Sequence, residues 1–293
     1  GWIEGLTIAS IILGVLLGGQ LVGPHLSPWL LAIDLPGIET SIDTPPEAAI
    51  ASLVLVYAIA AAINLRIPHT GVRMRPLPDR TLSLLPDFWR CNARLWRDKL
   101  GQISLATTTL FWGVSGNMRY IVLAWAAAAL HYSTTQAAGL VGVVAIGTAV
   151  GAVLASMRVR LDRAIGVMPL GVLMGALVVL MVFVDRLWLA VPFLIFMGAL
   201  GGYIVVPMNA LLQHRGHNLM GAGRSIAVQN FNEQACILGL GALYSASAGV
   251  GLSAFGAIAL FGAVVIAFML LIQRWHRHNL RRYPGKVERL LNI

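Results

Sequence analysis

The chain has 293 residues, of which 58% are hydrophobic and only 11% charged, with a formal net charge of +9. Soluble domains carry about 25% charged residues, so a water-soluble globular fold is excluded. Nucleic acid is excluded as a partner too, because the basic residues sit in short connections between long apolar stretches. Cys91 and Cys236 are too few for a disulfide framework or a cysteine metal site.

Eight stretches run to the ~20 residues that a helix needs to cross a bilayer. In chain order they are about 3–23, 47–66, 103–129, 136–156, 166–184, 187–210, 223–246 and 250–273. Backbone groups find no water in lipid, so these stretches must be helical. The short alternating segments of a β-barrel are not seen. The fold class expected is therefore all-α, a polytopic membrane helix bundle.

The basic residues test this count. Arg66 to Lys99, Arg158 to Arg163, Arg215 to Arg224 and the tail from Arg274 hold 19 of the 21 Lys and Arg residues, all in alternate connections. Cytoplasmic loops carry that excess. The first loop holds Asp34, Glu39, Asp43 and Glu47 and no base, so it is expected outside and both ends of the chain inside. Within the basic connection after 47–66, Asp87 to Leu100 can form a helix with Trp89, Trp96 and Leu100 on one face. Two readings stand for it: a helix on the inner membrane surface, or a solvated basic linker.

Polar residues inside the spans follow an order. Glu4, Thr7, Ser10, Gly14 and Gly18 share one face of the first. Ser104, Thr108, Ser115 and Arg119 line the third, and Ser225, Gln229, Asn232 and Glu233 the seventh. The fourth carries Gly147 and Gly151 at a spacing suited to close packing, and the sixth Gly198, Gly201, Gly202, Tyr203 and Asn209. The spans at 47–66, 166–184 and 250–273, every third one, are nearly bare. Three-helix repeats of this kind build the major facilitator fold. The division expected is then 1–66 as the last two helices of an N-terminal half, 67–102 as the central cytoplasmic loop, 103–273 as a six-helix C-terminal half, and 274–293 as a basic cytoplasmic tail. Four helices would be missing ahead of a chain that opens Gly-Trp-Ile-Glu-Gly without Met.

Charged residues near the middle of a span cost about 2.5–3.5 kcal/mol on insertion scales and face the protein interior. Arg119 and Glu233 are of this kind. Two readings stand: an ion pair holding their helices together, or contacts for a charged substrate group. Glu4, near the inner end of its span, is either a site acid or interfacial. No histidine is followed four residues later by aspartate, and the glycine-rich runs lack a phosphate-loop ending. No enzyme and no cofactor are therefore expected, and His214 and His217 read as solvated loop residues, not metal ligands.

Residues 1–19, Ser104–Arg119 (SLATTTLFWGVSGNMR), Gly201–Gln213 (GGYIVVPMNALLQ, followed by His214-Arg215-Gly216) and Gly221–Glu233 (GAGRSIAVQNFNE) together resemble the bacterial lysophospholipid transporter family of the major facilitator superfamily. The resemblance implies an inner-membrane protein. Its substrates would be lysophospholipids such as lysophosphatidylethanolamine, moved to the cytoplasmic leaflet. A partner acyltransferase–acyl carrier protein synthetase would re-acylate them there. It also implies that Arg119 and Glu233 engage the headgroup, with Gln229, Asn232 and Glu4 as further candidate substrate contacts and membrane lipids as surroundings. A family acid in the first helix has no counterpart here. The alternatives are another major facilitator, such as a drug or sugar exporter, a lipid-modifying enzyme, and a non-transporting membrane scaffold.

Overall fold

A computed structural model describes residues 44–67 and 84–285, together with 10, 13, 14, 17, 18, 20, 21, 27–32 and 290. Of the span expected at 3–23, seven positions are described and all are helical; Glu4 and the opening run of the chain lie outside the described residues. The chain falls into two compact units, Leu13–Thr81 and the remainder. All regular structure among the described residues is helical.

The smaller unit holds α1 (Ser27–Leu31) and α2 (Pro45–Asn64). Thr44 starts α2: its backbone N–H donates to Glu47 Oε2 at 2.9 Å, and Pro45 and Pro46 occupy the first turn, where a missing N–H costs nothing.

The larger unit runs α3 (Leu84–Arg97), α4 (Gly101–Ala129), α5 (Thr134–Arg158), a 3-10 turn (Leu161–Val167) leading into α6 (Met168–Leu180) and a short turn (Met181–Phe183), α7 (Leu187–Met220), α8 (Ala222–Gly249) and α9 (Ala254–Arg282). Glycines at positive φ, Gly221 (84°) and Gly251 (87°), break the chain between α7, α8 and α9, a conformation that costs glycine little.

Pro45–Asn64, Gln136–Arg158, Leu161–Phe183, Leu187–Met220 and Ala254–Arg282 are long and apolar enough to cross a membrane. Helices α4 and α8, with 29 and 28 residues, have the length but not that apolarity; they are the helices that carry Arg119 and Glu233. Two helices exceed their sequence estimates. Helix α7 continues past 210 to Met220, 34 residues in all. At 1.5 Å per residue that is about 51 Å, so its last turns stand beyond a ~30 Å hydrocarbon core. Helix α9 likewise carries the basic segment after Arg274 to Arg282 as helix.

Lipid tails are as apolar as leucine, so these helices associate by close contact and not by escape from water. Helices α5 and α7 do so through glycine. A Cβ on Gly147 or Gly151 would strike the carbonyl oxygens of Ile195 and Ala199, and one on Gly198 or Gly202 those of Val144 and Thr148. Helix α6 packs on α9 in the same way, with Gly171 against Met269 and Gly175 against Ile266. Trp125, fully buried on α4, donates from Nε1 to Val184 O at 3.2 Å.

The segment 84–97 is a helix and not a linker. It buries Cys91 and Leu95 against Leu105, Leu212 and Val228 of α4, α7 and α8, while Leu85 and Trp89 remain exposed.

Candidate functional site

The candidate site residues of the larger unit fall in three groups. In the first, Gln229 on α8 turns its amide toward both neighbours: Nε2 donates to Asn209 Oδ1 of α7 and to Glu233 Oε1, each at 2.8 Å. All three residues are buried, at 5%, 7% and 8% exposure for Asn209, Gln229 and Glu233. An amide nitrogen shared by two acceptors leaves neither stranded, which removes the desolvation penalty an unpaired polar group would carry. Asn209 was legible only as a polar residue of its span, because its partner lies 20 residues on, in the next helix.

Asn232 anchors the second group. Its Nδ2 donates to Asn92 Oδ1 and to Val228 O, each at 2.8 Å, and its Oδ1 accepts from Trp96 Nε1 at 3.2 Å. The Trp96 indole stacks on Trp275, with centroids 6.1 Å apart and planes 6° from parallel. Expected from sequence as a substrate contact, Asn232 is here occupied in holding α3 against α8. Arg224 and Asp87, 2.7 Å apart, fasten the same two helices, and Arg94 Nη1, donating to Leu219 O at 3.0 Å, ties α3 to the end of α7.

Arg119 makes the third. It sits four residues past the centre of α4 and is exposed. Its Nη2 donates to the hydroxyl of Tyr120 at 2.9 Å, and the guanidinium lies 4.7 Å from that ring's centroid. Among the described residues no carboxylate pairs with it, and no ion pair joins it to Glu233. The helices bearing the two are nonetheless in direct contact. Asn117 Nδ2, on α4, donates to Gly113 O at 2.8 Å and to Ile237 O of α8 at 3.0 Å. Gly113 and Gly116 give Cys236 and Ile237 the room to approach.

Gln229 and Glu233 are thus brought together, and Asn232 and Arg119 are placed apart from them. Among the described residues no group of three or more His, Cys, Asp or Glu is placed to hold a metal ion.

These helices define a polytopic all-α membrane protein with buried polar bridges and, among the described residues, an exposed arginine, Arg119, near the middle of α4. The chain is 36% identical over 246 residues, 84% of its length, to proteins named lysophospholipid transporter LplT from Yersinia pestis (strain Pestoides F), Yersinia pestis bv. Antiqua (strain Angola) and Yersinia pseudotuberculosis serotype O:3 (strain YPIII). It belongs to the sequence family of these proteins, and the aligned part is 56% of their own length, so the chain spans a little over half of the curated relatives it matches. No family model and no solved structure matches it.

Proposed function

We propose that the complete protein is a lysophospholipid transporter of the major facilitator type, and not an enzyme. It would move monoacyl phospholipids such as lysophosphatidylethanolamine across the bacterial inner membrane to the cytoplasmic leaflet, with both ends of this chain cytoplasmic. A re-acylating acyltransferase–acyl carrier protein synthetase is the partner expected to consume them. The relationship to proteins of that name supports the substrate class.

The observation that carries the reading is Arg119. A cation inside a span, exposed and without a carboxylate partner among the described residues, is costly unless it faces a polar path. A lysophospholipid headgroup offers a phosphate for its guanidinium, and charge-assisted contacts of this kind are about twice as strong as neutral ones. We assign the ammonium end of a zwitterionic headgroup to Glu233, whose carboxylate Gln229 orients. Glu4 remains a further candidate acid.

Uptake of labelled lysophosphatidylethanolamine into cells, normalised to membrane protein level, tests this. Arg119→Ala and Glu233→Ala should each lower uptake strongly. The exchange of Arg119→Glu with Glu233→Arg should not restore it, because phosphate and ammonium would then meet like charges. Normal uptake by both single variants would remove the assignment. Recovery on exchange would make the two an ion pair instead.

A further inference from the structure

Across α5, α6, α7 and α9, the side chains left exposed near mid-span are apolar: Ile146 and Val150, Leu173, Ile195 and Phe196, Leu260 and Phe268. Such surfaces suit lipid. Helices α4 and α8 break the pattern. Ser115 and Arg119 are exposed on α4, one turn apart, and Asn230 and Gln234 are exposed on α8, also one turn apart. Gln234 lies close to the centre of the 28-residue α8, where a polar side chain is least suited to lipid.

The two exposed arcs face the same way. Three antiparallel helices separate α4 from α8 in the chain, so the two run parallel. They touch through Gly113, Gly116 and Asn117 on one and Cys236, Ile237 and Leu240 on the other. At 100° per residue, Arg119 lies to one hand of this contact on α4. Asn230 and Gln234 lie to the other hand on α8. For parallel neighbours these are the same side of the pair. Glu233 and Gln229 point instead to the contact itself and into the bundle, as their burial records.

We propose that Asn230 and Gln234, with Ser115, form a binding face beside Arg119 for the phosphate and free glycerol hydroxyl of a monoacyl phospholipid. This rests on the reading of Arg119 as a headgroup contact. The chemistry matches: a guanidinium only donates, whereas an amide both donates and accepts, as the recognition of a hydroxyl requires. A diacyl lipid has no such hydroxyl, and a site built to bond one discriminates strongly against a ligand that lacks it.

The test uses the complete protein in membranes, with Cys91→Ala and Cys236→Ala as background. Asn230→Cys and Gln234→Cys are treated with a charged, water-soluble thiol reagent, with and without lysophosphatidylethanolamine. Phe268→Cys serves as a lipid-facing reference. Both test positions should react at least about tenfold faster than the reference, since a charged reagent does not enter hydrocarbon, and the lipid should slow them. In uptake assays Asn230→Leu and Gln234→Leu should each raise KM about tenfold, the cost of one lost hydrogen bond, with the maximal rate kept. No reaction, or reaction that the lipid does not slow, overturns the proposal while uptake by the background protein persists. So does an unchanged KM in both leucine variants, which a lipid-facing position would tolerate. A parent that takes up no lysophospholipid instead brings down the transport reading on which the proposal stands.

Discussion

Arg215 of α7 grips Asp98, just ahead of α4, through two hydrogen bonds, Nε to Oδ1 at 3.1 Å and Nη2 to Oδ2 at 2.7 Å. Both side chains are close to nine-tenths buried, at 12% and 10% exposure. Asp98 Oδ1 also accepts from the backbone N–H of Gly101 at 2.7 Å, where α4 begins. One carboxylate thus joins the far end of α7 to the entry of α4.

Removing either partner strands a nearly buried charge, which costs about 3–5 kcal/mol. Asp98→Ala and Arg215→Ala should each lower the thermal midpoint of the detergent-solubilised protein and its membrane level. The double variant should be less damaged than the sum of the two, because it leaves no stranded charge. Additive losses, read by a double-mutant cycle on the midpoint, would argue against the coupling.

Gln229 gives a second prediction. Gln229→Leu keeps the volume but takes the donor from Asn209 Oδ1 and Glu233 Oε1. A hydrogen bond contributes about 0.5–1.5 kcal/mol, more when one partner is charged, so losing both should destabilise the variant by about 1–3 kcal/mol. Gln229→Glu should be worse, since it places a second carboxylate beside Glu233. A Gln229→Leu protein with the parent's thermal midpoint would disprove the bridge.

The glycine contacts between α5 and α7 are the third. At Gly151 and Gly202 an added Cβ meets backbone carbonyls of the facing helix, which cannot rotate away as a side chain can. Overpacking costs about 1–3 kcal/mol, so Gly151→Ala and Gly202→Ala should both reduce folded yield. At Gly139, also on α5, nothing lies within 4 Å of the added atom. Gly139→Ala should be neutral or mildly stabilising, through helix propensity. Equal yields across the three variants, measured by size-exclusion chromatography, would contradict the packing.

Orientation is the fourth. A cysteine replacing Asp43 in the acidic first loop should react with an impermeant thiol reagent added outside intact cells. One replacing Asp162, in the basic turn after α5, should react only after the membrane is opened. The expectation rests on the distribution of 19 of the 21 Lys and Arg residues. Labelling of the first position from the cytoplasmic side alone would reverse it.

Much of the helical plan was legible because a bilayer reads length and apolarity alone. The stretches at 47–66, 136–156, 166–184, 187–210 and 250–273 each fall on a helix able to span, within a few residues at most ends. The exceptions have a common cause. Helix α7 runs on to Met220 and α9 to Arg282, where apolarity stops but the helix does not. Arg215 on Asp98 and Trp275 on Trp96 hold those turns against the rest of the unit. Hydropathy finds where a helix leaves lipid, not where it ends.

What the sequence determined by itself was the inventory: an all-α membrane chain, its basic connections, and the polar residues inside its spans, Arg119 and Glu233 among them. Which of those residues touch one another was decided only by the tertiary structure. Asn232 meets Asn92 across 140 positions and Trp96 across 136, while Arg119 and Glu233, on adjoining helices, face different surroundings. A side chain's direction depends on the rotation of its helix about its own axis. That rotation is set by neighbours distant in the chain, through contacts such as Gly113 on Cys236, and one residue's change in register turns a helix face by about 100°.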